Sequence, residues 1–183
     1  MCKFRDLKAD EIEVRVQQVK ETGLVLLLYK DARVDMNILD ETVGSTNWQR
    51  EHYECKGNLF CRVGIDINNI HKESGAKPSD PYWVWKSDCG TESNTDAQKG
   101  EASDSFKRAC FNWGIGRELY TAPFTWVPAD KCNIKETGPK TYKCFDKFEV
   151  RKIIIEKKQI TAVAIWNVTK GVWAFIWQDK QGG

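Results

Sequence analysis

Hydrophobic and polar positions follow two spacings along the chain, and the order of those spacings predicts an α+β fold. Residues 7–20 open with apolar positions spread through Leu7-Lys8-Ala9-Asp10-Glu11-Ile12-Glu13-Val14-Arg15-Val16, read as a short helix that Asp6 or Asp10 can cap. After Gly23, residues 24–29 are a continuous apolar run, short enough for a buried strand. Val34, Ile38, Leu39 and Thr42 share one helical face, so a second helix is expected to end at Gly44. Residues 48–55 and 59–67, split by Lys56-Gly57-Asn58, read as a β-hairpin. Residues 68–81 are polar, with Gly75, Pro78 and Pro81, and read as a loop before a third strand over 82–89.

The long segment 99–114 comes next. Ala102, Phe106, Ala109, Cys110 and Trp113 recur at three- and four-residue spacing, which makes one buried stripe on a helix. Asn94 or Thr95 can cap it, Asp96 suits the positive end of the helix dipole, and Gly114 is a natural stop. Lys107 and Arg108 project beside the stripe, a rigid basic pair better matched to a polyanion than to acid–base chemistry. Beyond Pro123 and Pro128 lies a lysine-rich stretch, then strand patterns over 148–156, 160–168 and 172–178. The expected architecture is α+β: a curved antiparallel sheet, built from the hairpin and third strand, with one long helix packed on a face. Residues 1–120 form the core domain of this reading and residues 121–183 a β-rich C-terminal extension.

Bulk properties narrow the chemistry. With 41% apolar and 30% charged residues the chain is globular, and no run of about eighteen apolar residues suggests a transmembrane helix. The N-terminus turns polar at once, so no secretory signal is expected. Net charge is only +2, so nucleic-acid binding requires a patch and not a uniformly basic surface. One candidate is 131–158, with nine Lys/Arg against four acids. Cys2, Cys55, Cys61, Cys89, Cys110, Cys132 and Cys144 include no Cys-x-x-Cys, and the histidines are His52 and His71. Reduced thiols in a cytoplasm, no metal and no cofactor are the expectation. Gly114-Ile115-Gly116 follows a helix and lacks the Lys-Ser/Thr ending of a phosphate loop, which argues against nucleotide. Trp83 and Trp85 alternate onto one strand face, and Trp173 and Trp177 lie four apart on another, as core, interface or base-stacking residues.

Asp104-Ser105-Phe106-Lys107-Arg108-Ala109 followed by Trp113-Gly114 resembles the signature helix of the Rad52 family of single-strand annealing proteins, closest to the short phage and prophage members. Met36 to Gly44 followed by Asn47-Trp48 is similar to the family's short helix, glycine and first-strand tryptophan, and Cys89-Gly90 sits at its third-strand exit. The three blocks agree in order over residues 10–120. The resemblance implies ring-forming subunits with single-stranded DNA held in a basic groove, and ATP-independent annealing of complementary strands without covalent chemistry. It places Lys107 and Arg108 on the DNA, with Arg15 at a backbone-contacting position. Lys99, Arg50, Arg62 and Arg117 are further candidates; Phe111 and Asn112 stand where relatives often carry another cation. The implied partners are single-stranded DNA and further copies of the chain. The tail completes the sheet, contacts a neighbour, or recruits a host single-strand-binding protein or an exonuclease. The implied location is the cytoplasm of a bacterial host, at the nucleoid. Two rival functions are a passive single-strand binder and a metal-dependent nuclease using Asp146, Glu156 and Lys158.

Overall fold

The computed structural model describes residues 3–70, 79–91 and 97–179, with the side chains of 97–99 outside the described set. The expected caps Asn94, Thr95 and Asp96, together with Cys2, His71, Gly75 and Pro78, lie outside the described residues. The chain divides into two compact units, one of Met1–Arg5 with Ala32–Gly116, the other of Asp6–Asp31 with Arg117–Gly183. The fold is α+β, its sheets are antiparallel, and it carries two α-helices.

In the first unit, α1 (Ala32–Val43) ends where expected, with Ile38, Leu39 and Val43 buried. β1 (Glu13–Lys20) and β2 (Gly23–Tyr29) belong to the other unit, and strands β3 (Trp48–Cys55), β4 (Asn58–Asp66) and β5 (Trp83–Cys89) form one sheet in that order. The β3–β4 turn places Lys56 and Gly57 at φ 54° and 76°, both left-handed, which matches the twist of the strands it joins. Helix α2 (Ala97–Trp113) lies on the face of the sheet that carries Cys61, Val63 and Ile65. Those three side chains and Phe106, Ala109 and Cys110 are fully buried, so the stripe read from the sequence is the helix's contact face. Gly114 ends α2 at φ 94°, and the Ile115 amide closes back on the Cys110 carbonyl at 3.1 Å.

In the second unit the expected helix over 7–20 is replaced by a single 3-10 turn, Ala9–Glu11, and strand β1 (Glu13–Lys20). Ile12, Val14 and Val16 alternate with Glu13, Arg15 and Gln17, a period of two made of β-branched residues, which favours the strand. Strand β1 pairs with β2 (Gly23–Tyr29) through a tight turn. The sheet runs β11-β10-β9-β1-β2-β6, where β6 is Thr125–Pro128, β9 Phe148–Glu156, β10 Gln159–Asn167 and β11 Val172–Gln178. The stretch expected to be an exposed lysine-rich connection holds β6 and a separate hairpin, β7 (Ile134–Gly138) with β8 (Thr141–Cys144). Its core is Leu24, Leu26, Val127, Val150, Val163 and Ile165.

Glu118, fully buried in the second unit, accepts the Leu7 amide at 2.8 Å, while its other oxygen is 3.9 Å from the Lys158 ammonium, which itself pairs with Asp6 at 2.8 Å. Glu118→Ala is expected to lower stability by about 2 kcal/mol, because the Leu7 amide is left buried without an acceptor. Glu118→Gln keeps that acceptor and should lose less than half as much; urea denaturation of the two variants checks the difference.

Candidate nucleic-acid interface

Strand register decides which basic residues share a surface in the first unit. Arg50 opposes Val63, and Val63 is buried beneath α2, so Arg50 lies on the helix-bearing side. Its guanidinium stands 4.8 Å from the centre of the Phe106 ring. Trp48 stacks on the same ring, and the His52 ring nitrogen meets the Ala102 carbonyl at 3.1 Å, which fixes the face of β3. Lys107 projects from α2 half-buried, away from the contact stripe. Arg108 turns toward β5, where its Nε lies 3.3 Å from Asp88. The structure therefore brings Arg50, Lys107 and Arg108 to one side of the sheet. Lys99 lies in the first turn of α2, its side chain outside the described residues.

Arg62 falls on the reverse face. It opposes Glu51 on β3 and Ser87 on β5, and Glu51 holds its guanidinium at 2.5 Å. The guanidinium also lies 4.5 Å over the Trp85 ring. Trp85 lies flat across Gly64, where any Cβ would come within 2.8 Å of the ring. Trp83 and Trp85 do share a face, with centroids 6.1 Å apart, and Tyr53 stacks on Phe60 farther along the sheet, where Phe60 opposes Cys89. Sequence reading missed Lys86, which is central to the helix side. Its ammonium donates to the Asn112 carbonyl at 2.8 Å and sits 4.5 Å over the Trp113 ring, a cation at the negative end of the helix dipole. Its signal was its alternation with Trp85 on β5, which places it under the helix.

Arg15 and Arg117 belong to the second unit. Arg15 is exposed on β1, on a strand and not on a helix, with its guanidinium 3.7 Å from the Tyr29 ring centre. Tyr29 donates to Glu13, and burial together with that carboxylate raises its phenol above the ordinary value. Arg117 is exposed at the start of the 3-10 segment Arg117–Thr121. A cleft of about 780 Å³ runs along β1 and β9, which share the single pair Glu13↔Glu149. Asp10, Glu13, Asp146 and Glu149 outnumber Lys147 and Arg151 in its lining, so a polyanion is disfavoured inside the cleft, while the Lys147 side chain is itself exposed to solvent.

The nuclease trio is dispersed. Asp146 accepts from the Asn133 amide and side chain and from Asn167, at 2.7–2.8 Å. Burial alone would raise its pKa, but those hydrogen bonds outweigh it and hold the carboxyl below its ordinary value. Glu156 ends β9, the last of the nine residues that begin at Phe148, and Lys158 is engaged by Asp6. Among the described residues no group of three or more His, Cys, Asp or Glu is placed to hold a metal ion. Burial pushes the Cys61 and Cys132 thiols up to about 11, which makes them poor nucleophiles. No helix among the described residues is long and apolar enough to cross a membrane.

No curated protein and no solved structure matches the chain. A family model does, over residues 4–137: that of the Rad52/22 family of double-strand break repair proteins. The matched span contains the whole three-stranded sheet, both helices and the basic pair on α2. The chain is a member of the Rad52/22 family, whose work is DNA repair and recombination.

Proposed function

We propose that this protein binds single-stranded DNA without regard to sequence and anneals complementary strands without ATP, as a homo-oligomeric ring. The observation that carries the reading is the family match combined with Lys107 and Arg108 on a helix clamped to the β3–β4–β5 sheet. Cations fixed on a packed helix meet phosphates with little ordering cost, and guanidinium forks onto them. Arg50 adds a third cation on the same side. Lys99 extends the contact along α2 in this reading, Arg15 and Arg117 are further candidates on the second unit, and Arg62, bound to Glu51 on the reverse face, contributes less. Bases left outward on a neutralised strand can pair with a complement, and no bond is made or broken. The short phage or prophage type, residence in a bacterial cytoplasm and recruitment of a single-strand-binding protein or exonuclease by the tail complete the proposal.

The test is pairing of two complementary labelled oligonucleotides, followed by fluorescence without ATP and with EDTA, alongside light scattering for mass. Acceleration by particles of many subunits is the expected result. Slower pairing would replace the reading with a passive binder, and strand loss on adding Mg²⁺ would replace it with a nuclease.

A further inference from the structure

The extended run from β8 into β9 carries chemistry that the helix-borne pair does not use. From Thr141 to Arg151 side chains alternate strictly: Thr141, Lys143, Phe145, Lys147, Glu149 and Arg151 are exposed, and Tyr142, Cys144, Asp146, Phe148 and Val150 turn inward. The alternation continues across the gap between the two strands because Asp146 is pinned by Asn133 and Asn167. That anchor holds Phe145 and Lys147 outward. Phe145 is 73% exposed, a large apolar cost for a side chain with a lysine on either side of it.

The neighbouring hairpin strand adds to the same charge. Lys135 on β7 stands directly opposite Lys143 on β8, a like-charge cross-strand pair that weakens the hairpin. Lys140 occupies the hairpin tip at φ 56°, a left-handed conformation that glycine or asparagine adopts more readily. Among the described residues no carboxylate forms an ion pair with Lys135, Lys140, Lys143 or Lys147, whereas Glu149, next in the row, pairs with Arg151 at 2.8 Å. In an extended chain Lys143 and Lys147 stand about 13 Å apart with Phe145 midway. Two cations flanking an exposed aromatic ring match a strand whose phosphates and unstacked bases are both accessible, and a duplex hides its base faces.

We propose that Lys143, Phe145 and Lys147, backed by Lys135, form a second contact for single-stranded nucleic acid, with lysines on phosphates and a base stacked on Phe145. This contact rests on the single-strand-binding reading above, and it falls almost entirely past residue 137, where the family match ends. It engages the bound strand separately from Lys107 and Arg108.

Full-length protein and two variants, Phe145→Ala and Lys143→Ala/Lys147→Ala, are titrated by fluorescence anisotropy against an oligothymidylate, an abasic oligonucleotide of equal length and a hairpin duplex. Phe145→Ala is expected to weaken oligothymidylate binding by about fivefold or more, with the abasic strand and the salt dependence unchanged. The lysine variant should weaken both single strands and flatten the log-affinity against log-salt slope by about 1.4. Lys143→Arg/Lys147→Arg should restore parental binding, as a purely structural role would not require. If the parent binds oligothymidylate and both variants match it, this contact is overturned and the annealing reading stands. Equal losses on abasic strand and duplex for Phe145→Ala also overturn the stacking. If the parent binds no single strand, the annealing reading falls and takes this contact with it.

Discussion

Lys107→Ala/Arg108→Ala is expected to weaken single-stranded oligonucleotide binding at least tenfold while moving the thermal midpoint by only a few degrees. A hydrogen bond to a charged group contributes about 1.5–3 kcal/mol, so losing two on one strand exceeds a tenfold change even if one is partly replaced by water. The salt dependence should flatten by about 1.4 in log–log slope, the amount for two phosphates on a single strand. Stability is spared for separate reasons. Alanine is as good a helix former as either residue it replaces. The Arg108 Nε facing Asp88 is buried, but the two side chains are 38% and 27% exposed, so loss of the screened pair costs about 1 kcal/mol or less. Anisotropy titrations at three salt concentrations, with a thermal melt of the same samples, measure both quantities. Parental affinity with a parental slope would remove α2 from the DNA contact.

What the sequence revealed and what it hid divides along the range of the interactions. Helix α2, its stripe, its glycine stop and the β3–β4 hairpin are local patterns, and each is where the spacing predicts. The last three strands are likewise placed to within a residue. Strand β1 was hidden because Asp6, Asp10 and Glu11 mimic a helix start, while the partner that stabilises the strand, β2, lies across a turn. Its link to β9 joins Glu13 to Glu149, a contact across more than a hundred residues that no local period encodes.

Facing was the other hidden property. Arg50 and Arg62 sit on one hairpin, yet the register gives them opposite sides of the sheet, as the pairs Arg50↔Val63 and Glu51↔Arg62 establish. On β11 the pairing skips Ala174, so the alternation shifts phase between Trp173 and Trp177. Trp173 consequently packs edge-on against Trp166 with 39% exposure, and Ile176, not Trp177, is the more exposed side chain beyond it. The row Lys143, Phe145, Lys147 was within a region already marked as basic, but its single facing depends on the Asp146 anchor, which sequence spacing does not disclose.

Gly90→Ala is expected to destabilise the protein by about 3 kcal/mol and to reduce single-strand binding with it. Gly90 follows the last residue of β5 and is buried against the first turns of α2. Its amide donates to the Leu59 carbonyl at 3.0 Å, and Glu101 of α2 accepts the Leu59 amide at 3.0 Å. Asp104 takes the Thr91 amide and hydroxyl at 3.1 and 3.2 Å, so strand exit and helix are tied at adjoining points. A methyl at position 90 would stand 2.2 Å from the Glu101 carbonyl oxygen and 2.9 Å from the Ser105 nitrogen, both helix backbone. No side chain can turn aside, so α2 must retreat by roughly 1 Å and lose contact along the stripe that buries Phe106. Gly114→Ala separates this from mere loss of glycine: its φ of 94° is strained for alanine, but nothing lies within 4 Å, so its cost stays near 1 kcal/mol. For a chain of this size the two values correspond to a fall in midpoint of roughly 6–12 °C against 2–4 °C. Below both transitions, Gly90→Ala should still bind less tightly than Gly114→Ala, because the helix that retreats is the one holding Lys107 and Arg108. Equal midpoints would show that the strand exit and the helix adjust freely. Equal affinities despite unequal midpoints would show that the placement of α2 does not govern the contact.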